Sequence, residues 1–257
     1  MEQGIVASIS GITIWRWLSE DAIKPWQYRS WLFPRDPEFA IKAGPILDLY
    51  QKKWMGMPLG PRDYVISTDE KTSIQARRRK AETLPPQSDS TMRVEHEYER
   101  KGAVAYFAAW DVHRAKIFGR CERKTGIRPF ERLVGQVMNQ EPYKSARRVF
   151  WIMDNGSSHR GERSNARLTK TWPSIIPVHT PIHASWLNQV EIYFSILQRK
   201  VLSPGDFESV TDLTARIYKF QEYYEAVAKP FKWKFTREDL KKLMTKLDEQ
   251  SQLKAAA

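Results

Sequence analysis

The sequence predicts a mixed α/β fold, a sheet flanked by helices, and three observations carry that expectation. Apolar, β-prone runs at residues 64–68 and 149–153 each lead into an aspartate, Asp69 and Asp154. Between them lie two closely spaced strand candidates, residues 102–110 and 115–120, which suit antiparallel neighbours around a turn at residues 111–113. From Ser185 onward the apolar residues recur at helical spacing. Strands, a helix, more strands and then helices make a mixed sheet with helical layers.

In chain order, Ser10 is placed to cap a short helix through Ile12, Trp15 and Leu18, with Ile23, Lys24 and Pro25 as its stop. Residues 38–54 suit a helix with Phe39, Ile41, Ile46, Leu47 and Tyr50 along one side, kinked by Pro45. The breaker cluster Met57-Pro58-Leu59-Gly60-Pro61 then divides residues 1–58 from a main domain at 59–257. Phe130, Leu133, Val134 and Val137 mark a helix. Residues 149–153 are apolar on both faces, as a central strand requires, and residues 175–178 form a shorter strand. Ser185 is expected to cap a helix carrying Trp186, Leu187, Val190, Phe194, Leu197 and Val201, stopped by Pro204 and Gly205. Two further helices are capped near Ser209 and Thr236.

Composition narrows the function classes. A chain of 257 residues, 41% hydrophobic with ten tryptophans, can bury a sizeable core, either as one domain with an appendage or as two small ones. Forty-two Lys and Arg against 30 Asp and Glu leave a net charge of +12, which favours a polyanionic partner through counterion release. Cys121 is the sole cysteine, so internal disulfides and CxxC metal sites are excluded, which fits a reducing cytoplasm. The longest apolar stretch, around residues 102–110, is far too short to span a membrane. Met1-Glu2-Gln3-Gly4 lacks the features of a secretory signal, so the expected chain is soluble and intracellular.

Three carboxylates stand out. Asp69 and Asp154 each end a strand-like run, the edge of an open α/β sheet where catalytic groups gather. Asp154 equally suits an Asx-type turn with Asn155 and Gly156, and the local residues leave both roles open. Glu191 lies at the margin of a buried helical stripe, where ionisation calls for either an arginine partner or a metal. Together the three could hold two divalent ions of the hard kind that favour oxygen, Mg²⁺ above all, for chemistry at a phosphodiester. His179 and His183 are split by Pro181 and do not make a helical zinc pair. Asp111 competes as an acid, but its place between two neighbouring strands suits a turn.

The motifs Asp69-Glu70-Lys71, Asp154-Asn155-Gly156-Ser157-Ser158-His159 and His183-Ala184-Ser185-Trp186-Leu187-Asn188-Gln189-Val190-Glu191 resemble the insertion sequence 630 family of bacterial transposases. That family is part of the mariner-like branch of the DDE superfamily. Residues 96–102 and Lys229-Pro230-Phe231-Lys232-Trp233 are similar to the family too, giving five motifs in the family's order over roughly residues 60–240. The resemblance implies a ribonuclease-H-like catalytic fold with Asp69, Asp154 and Glu191 as the metal-binding, catalytic trio. It implies Mg²⁺ or Mn²⁺, two ions in all, nicking at transposon ends, and attack of the freed 3′-hydroxyl on target DNA, typically at a TA dinucleotide. It also implies double-stranded DNA and a second copy of the chain as partners, and a place in the bacterial cytoplasm near the nucleoid. His159 stands where the family carries a histidine, either at the site or packing a turn. Asn155, Asn188 and Gln189 either hydrogen-bond the carboxylates or DNA, or cap backbone. Lys71 and the run Arg77-Arg78-Arg79-Lys80 are expected phosphate contacts, with a solvated charged face as the alternative.

The family begins with tandem helix-turn-helix units, whereas only residues 7–31 resemble the end of one, too little for the three helices of a complete unit. Residues 1–58 are therefore expected to be a helix-turn-helix remnant and linker helix, from a truncated copy or from an element encoded in two frames. Two alternatives to a transposase follow. One is a decayed or domesticated DNA-binding protein that keeps the fold without the reaction, and the other is a ribonuclease-H-like nuclease acting without transposition.

Overall fold

The computed structural model of the chain describes residues 8–20, 34–156 and 161–255. The chain forms two compact units, Met1–Phe33 and Pro34–Ala257. In the first, helix α1 (Gly11–Glu20) starts where the sequence placed it, with Ser10 Oγ accepting the Thr13 N–H at 3.1 Å. The expected stop at residues 23–25, and most of the helix-turn-helix-like stretch 7–31, lie outside the described residues.

The second unit begins at Pro34, ahead of the boundary drawn at residue 58, and includes helix α2 (Phe39–Tyr50). That helix is shorter than expected. Its last residues turn into a small hairpin of β1 (Lys53–Trp54) and β2 (Met57–Pro58), reversed at Gly56 in the left-handed region.

The main sheet contains β3 (Asp63–Arg79), β4 (Tyr98–Asp111), β5 (Lys116–Glu122), β6 (Arg148–Met153) and β7 (Ile175–His179), in the spatial order β5-β4-β3-β6-β7. Strand β4 runs antiparallel to both its neighbours, β3 and β5, while β3, β6 and β7 are mutually parallel. Helix α3 (Ile127–Met138) precedes β6 and α4 (Glu162–Thr171) links β6 to β7, as parallel pairing demands of its crossovers. Alternation along the strands builds two cores. Ile66, Phe107, Val149, Trp151 and Met153 face α3 and α4. Val65, Ala108, Phe150 and Ile152 face the other way, onto α5 (Val190–Leu197) and α6 (Val210–Val227). A third cluster joins α2 to residues 184–187 and to α7 (Arg237–Ala255). Ser209 and Thr236 cap the last two helices as expected, accepting from Asp212 N and Asp239 N.

Two expectations are corrected. First, β3 does not stop at Asp69. Its partner β4 continues alongside, so the polar residues beyond Asp69 form the outer half of a two-stranded ribbon, paired from Lys71 with Tyr106 to Arg79 with Tyr98 across two register shifts. Second, Ser185 does not cap the helix that carries Glu191. Residues Ser185–Leu187 make a single 3₁₀ turn, α5 starts at Val190, and a π-helical turn (Gln198–Leu202) follows it. The orphan N–H of Val190 is satisfied from the sheet instead, by Ser67 Oγ at 2.8 Å. Among the described residues, no helix is long and apolar enough to cross a membrane.

Candidate active site

The parallel register of β3 and β6 brings the two aspartates together. Ser67 pairs with Ile152, so Asp69 and Asp154 both lie two positions beyond that pair. Strand alternation then carries both side chains to the face covered by α5. Glu191, half-buried in the first turn of α5, meets them there with its carboxylate at the favourable end of the helix dipole.

Electrostatics record the gathering. Asp69 is 8% exposed, and burial, aided by the charges of Asp154 and Glu191, pushes its pKa up to about 7. Burial likewise raises Glu191; the Lys71 ammonium opposes that shift and Asp154 adds to it. The Asp69 N-terminal neighbours are occupied elsewhere: Thr68 Oγ1 donates to Ala108 O at 2.8 Å, and Ser67 Oγ donates to Asn188 Oδ1. Asn188 is wholly buried, and its Nδ2 reaches Thr68 O at 2.8 Å and Asp69 Oδ2 at 3.3 Å. It thus ties the start of α5 to the carboxylate on β3.

The donor set is one of hard oxygens crowded in a part-buried setting, which fits Mg²⁺ or Mn²⁺ chemically. As the side chains stand, however, no three acids, histidines or cysteines among the described residues are grouped to hold a metal ion. Asp69 Oδ1 accepts from Glu70 N at 2.7 Å, and Asp154 Oδ1 from Gly156 N at 2.8 Å, the Asx-type turn anticipated at that position. Among the described residues no zinc-type cluster competes: His179 Nε2 is 2.9 Å from Asn165 Oδ1 and its Nδ1 is 3.3 Å from the Asp154 carbonyl oxygen.

Of the supporting residues, Asn155 does not touch the carboxylates. Its Nδ2 donates to Thr180 O at 2.8 Å and closes the loop beyond β7. The Gln189 N–H donates to Tyr50 Oη at 3.3 Å, while its buried Oε1 has no hydrogen-bond partner among the described residues. His159 lies outside the described residues. Ser67 went unnoticed in the sequence, and His179 stood out there only as half of an excluded zinc pair with His183. The signal for Ser67 was its place two residues before Asp69, on the same strand face; nothing local tied His179 to the site.

The basic run splits by role. Arg79 is a strut, its guanidinium donating to Gly205 O at 3.1 Å and Glu95 O at 2.8 Å. Arg78 pairs with Glu208 at 3.0 Å and Lys80 with Glu97 at 2.5 Å. Arg77 is exposed, packs over the Tyr98 ring at 4.8 Å, and with Lys71, Thr72, Gln75 and Ser203 lines a polar recess of about 230 Å³. A cleft of about 500 Å³ opens beside Asp154, lined by Lys42, Asn155, Thr180, His183 and Ser185 among others.

The cavity of about 550 Å³ at the opposite end of β3 is not the reacting centre, because its acids are already satisfied. Asp63 holds Arg148 through two bonds of 3.0 and 2.6 Å. Asp111 accepts from the N–H groups of His113 and Arg114 and from Tyr143 Oη at 2.7 Å, which makes it the turn residue its position suggested.

Residues 64–214, more than half of the 257-residue chain, match the family described as DDE superfamily endonuclease. No curated protein matches the chain. Similar solved structures include the Mos1 transposase paired-end complex with left transposon end, at TM-score 0.53 and 14% identity over 86% of this chain and 65% of that one. The Mos1 mariner paired end complex with Mn gives 0.52 and 13% over 86% and 65%, and the Mos1 Strand Transfer Complex 0.52 and 14% over 86% and 64%. At such identities the likeness is one of fold, the ribonuclease-H-like mixed sheet. The chain spans about 65% of the length of the first of these structures.

Proposed function

Because the chain belongs to the DDE superfamily endonucleases, we propose that it is a transposase of the insertion sequence 630 kind, cutting DNA at transposon ends and joining the freed 3′-hydroxyl to target DNA. The observation that carries this reading is the approach of Asp69, Asp154 and Glu191 on one sheet face, where Asp69 feels the charge of both other acids and Glu191 feels that of Asp154.

In this reading the three carboxylates bind Mg²⁺ or Mn²⁺, and the Mn named with the similar mariner complex supports that choice. When bound, such ions supply Lewis-acid activation of the attacking hydroxyl and neutralise charge at the scissile phosphate. The chain's own residues do the rest. Asn188 holds Asp69 through its Nδ2 and fixes the start of α5, so that Glu191 faces the strand ends. Lys71, next along the same strand face, offsets the negative charge at Glu191 and is placed for a phosphate oxygen. Arg77 continues that path along the ribbon as a phosphate contact, which orients DNA without reading its sequence. The surplus of 42 Lys and Arg over 30 Asp and Glu draws the duplex in from solution. DNA ends are paired by a homodimer, and the protein works in the bacterial cytoplasm at the nucleoid.

The test is strand transfer. A duplex carrying the DNA that flanks the coding region is incubated with protein, Mg²⁺ and a supercoiled target plasmid. Joined products in which a 3′ end of that duplex is covalent with the plasmid are expected. Nicked duplex with no joined product would leave a nuclease and sink the transposase reading.

A further inference from the structure

Two motifs remain unexplained by the acidic trio: the helix over residues 39–50 and the run Lys229-Pro230-Phe231-Lys232-Trp233. Both converge on one phenol. Tyr50, the last residue of α2, donates through Oη to Leu187 O at 2.6 Å and accepts the Gln189 N–H at 3.3 Å. These are the backbone groups on either side of Asn188. The irregular step from the 3₁₀ turn into α5 would otherwise leave them inside the protein without partners. The Tyr50 ring is held in turn by Trp233, at 5.0 Å between centroids, while Phe231 stacks on Trp110 at 4.7 Å.

The same segment carries a second anchor. Asp36, with its side chain 2% exposed, accepts from Ile182 N at 2.9 Å, from Glu38 N at 2.9 Å and from Lys42 Nζ at 3.0 Å. Asp36 and Tyr50 therefore grip the chain at Ile182 and at residues 187–189. Between these points the backbone passes through His183, in the left-handed region at φ 58°. Phe39, Ala43 and Leu47 of α2 pack on Ala184 and Leu187 between the two grips. Within the second grip lies Asn188, bonded to Asp69, and just beyond it comes Glu191.

Resting on the reading of the trio as the reacting centre, we propose that Tyr50 is a positioning residue for it, with Asp36 as its auxiliary. The α2 segment clamps residues 182–189 and so sets how Asn188 and Glu191 meet Asp69. It belongs to the catalytic machinery and not to a DNA-reading appendage. Tyr50 touches no reacting atom, so its loss must act through Asn188.

The experiment compares the parent with Tyr50→Phe, Asn188→Ala, the double variant and Asp36→Asn. Each is followed by single-turnover nicking of supercoiled plasmid at saturating DNA, by DNA affinity, and by Mn²⁺ affinity measured by electron paramagnetic resonance without DNA. Tyr50→Phe is expected to slow nicking about tenfold, the scale on which a small misplacement of reacting groups is felt, with DNA affinity unchanged within about twofold. Mn²⁺ binding should weaken about threefold, and Asp36→Asn should change both in the same sense by less. The double variant should be no slower than Asn188→Ala alone, because two residues acting in series do not add. Parent-like nicking and Mn²⁺ binding by Tyr50→Phe, or losses that multiply in the double variant, would overturn the assignment while leaving the functional reading intact. A parent that neither binds Mn²⁺ nor nicks DNA would instead remove that reading, and this inference with it.

Discussion

Asp63 and Asp69 stand on the same strand, on the same face by alternation, and both are buried, yet they live under opposite electrostatics. Asp63 receives the Arg148 guanidinium through two bonds and the Gly60 N–H at 2.9 Å, and these hold its carboxyl below the ordinary value. Asp69 receives one N–H from Glu70 and one from Asn188, while the charges of Asp154, Glu191 and Glu70 press on it. Asp63 has a cation beside it, whereas Asp69 has neighbours that make ionisation costly until a cation arrives. That contrast supports the proposed reacting centre at the Asp69 end of the sheet.

Substitution at each aspartate should widen the contrast. Asp63→Asn removes half of a part-buried ion pair and is expected to cost about 2–3 kcal/mol in unfolding free energy, with plasmid nicking within about twofold of the parent. The pair also has a pH signature. Because the folded value of Asp63 is depressed, its contribution is complete above the ordinary 3.8 and is lost as the pH falls below that through the lower folded value. The Asp63→Asn protein should therefore lose less stability than the parent between pH 5 and the acid limit, which urea titrations across that range would reveal. Parallel curves would place the pair outside the stability account. Asp69→Asn has the opposite and smaller effect. Removing a crowded charge should stabilise the metal-free protein by about 1 kcal/mol, a rise of roughly 2–4 °C in melting temperature. A fall of that size would mean that the hydrogen bonds at Asp69 outweigh the repulsion.

Much of this architecture was legible in the sequence. The apolar strand at residues 149–153, the hairpin around Asp111 and the helix caps at Ser209 and Thr236 all rest on patterns among neighbouring residues, and they appear where those patterns lie. The outer half of β3 did not announce itself. Lys71 to Arg79 is polar because one ribbon face is solvated, and only pairing with β4 makes it a strand. The start of α5 was misplaced for a similar reason: Ser185 has the chemistry of a cap, but the cap that forms is Ser67, distant in sequence and delivered by the sheet. The acids themselves were visible as misplaced charges. Their mutual approach depends on the register of two parallel strands, and the grip of Tyr50 on Leu187 and Gln189 crosses well over a hundred residues of chain, beyond the reach of any periodicity.

The central claim is that Asp69, Asp154 and Glu191 act as one metal-dependent centre. It is tested most directly by nicking of supercoiled plasmid by the parent and by Asp154→Asn, each with Mg²⁺ or Mn²⁺ and with chelator. The parent should nick only with the ion present, and Asp154→Asn should fall to the chelator background while keeping its fold by circular dichroism. A folded Asp154→Asn protein that nicks at the parent's rate would contradict the assignment.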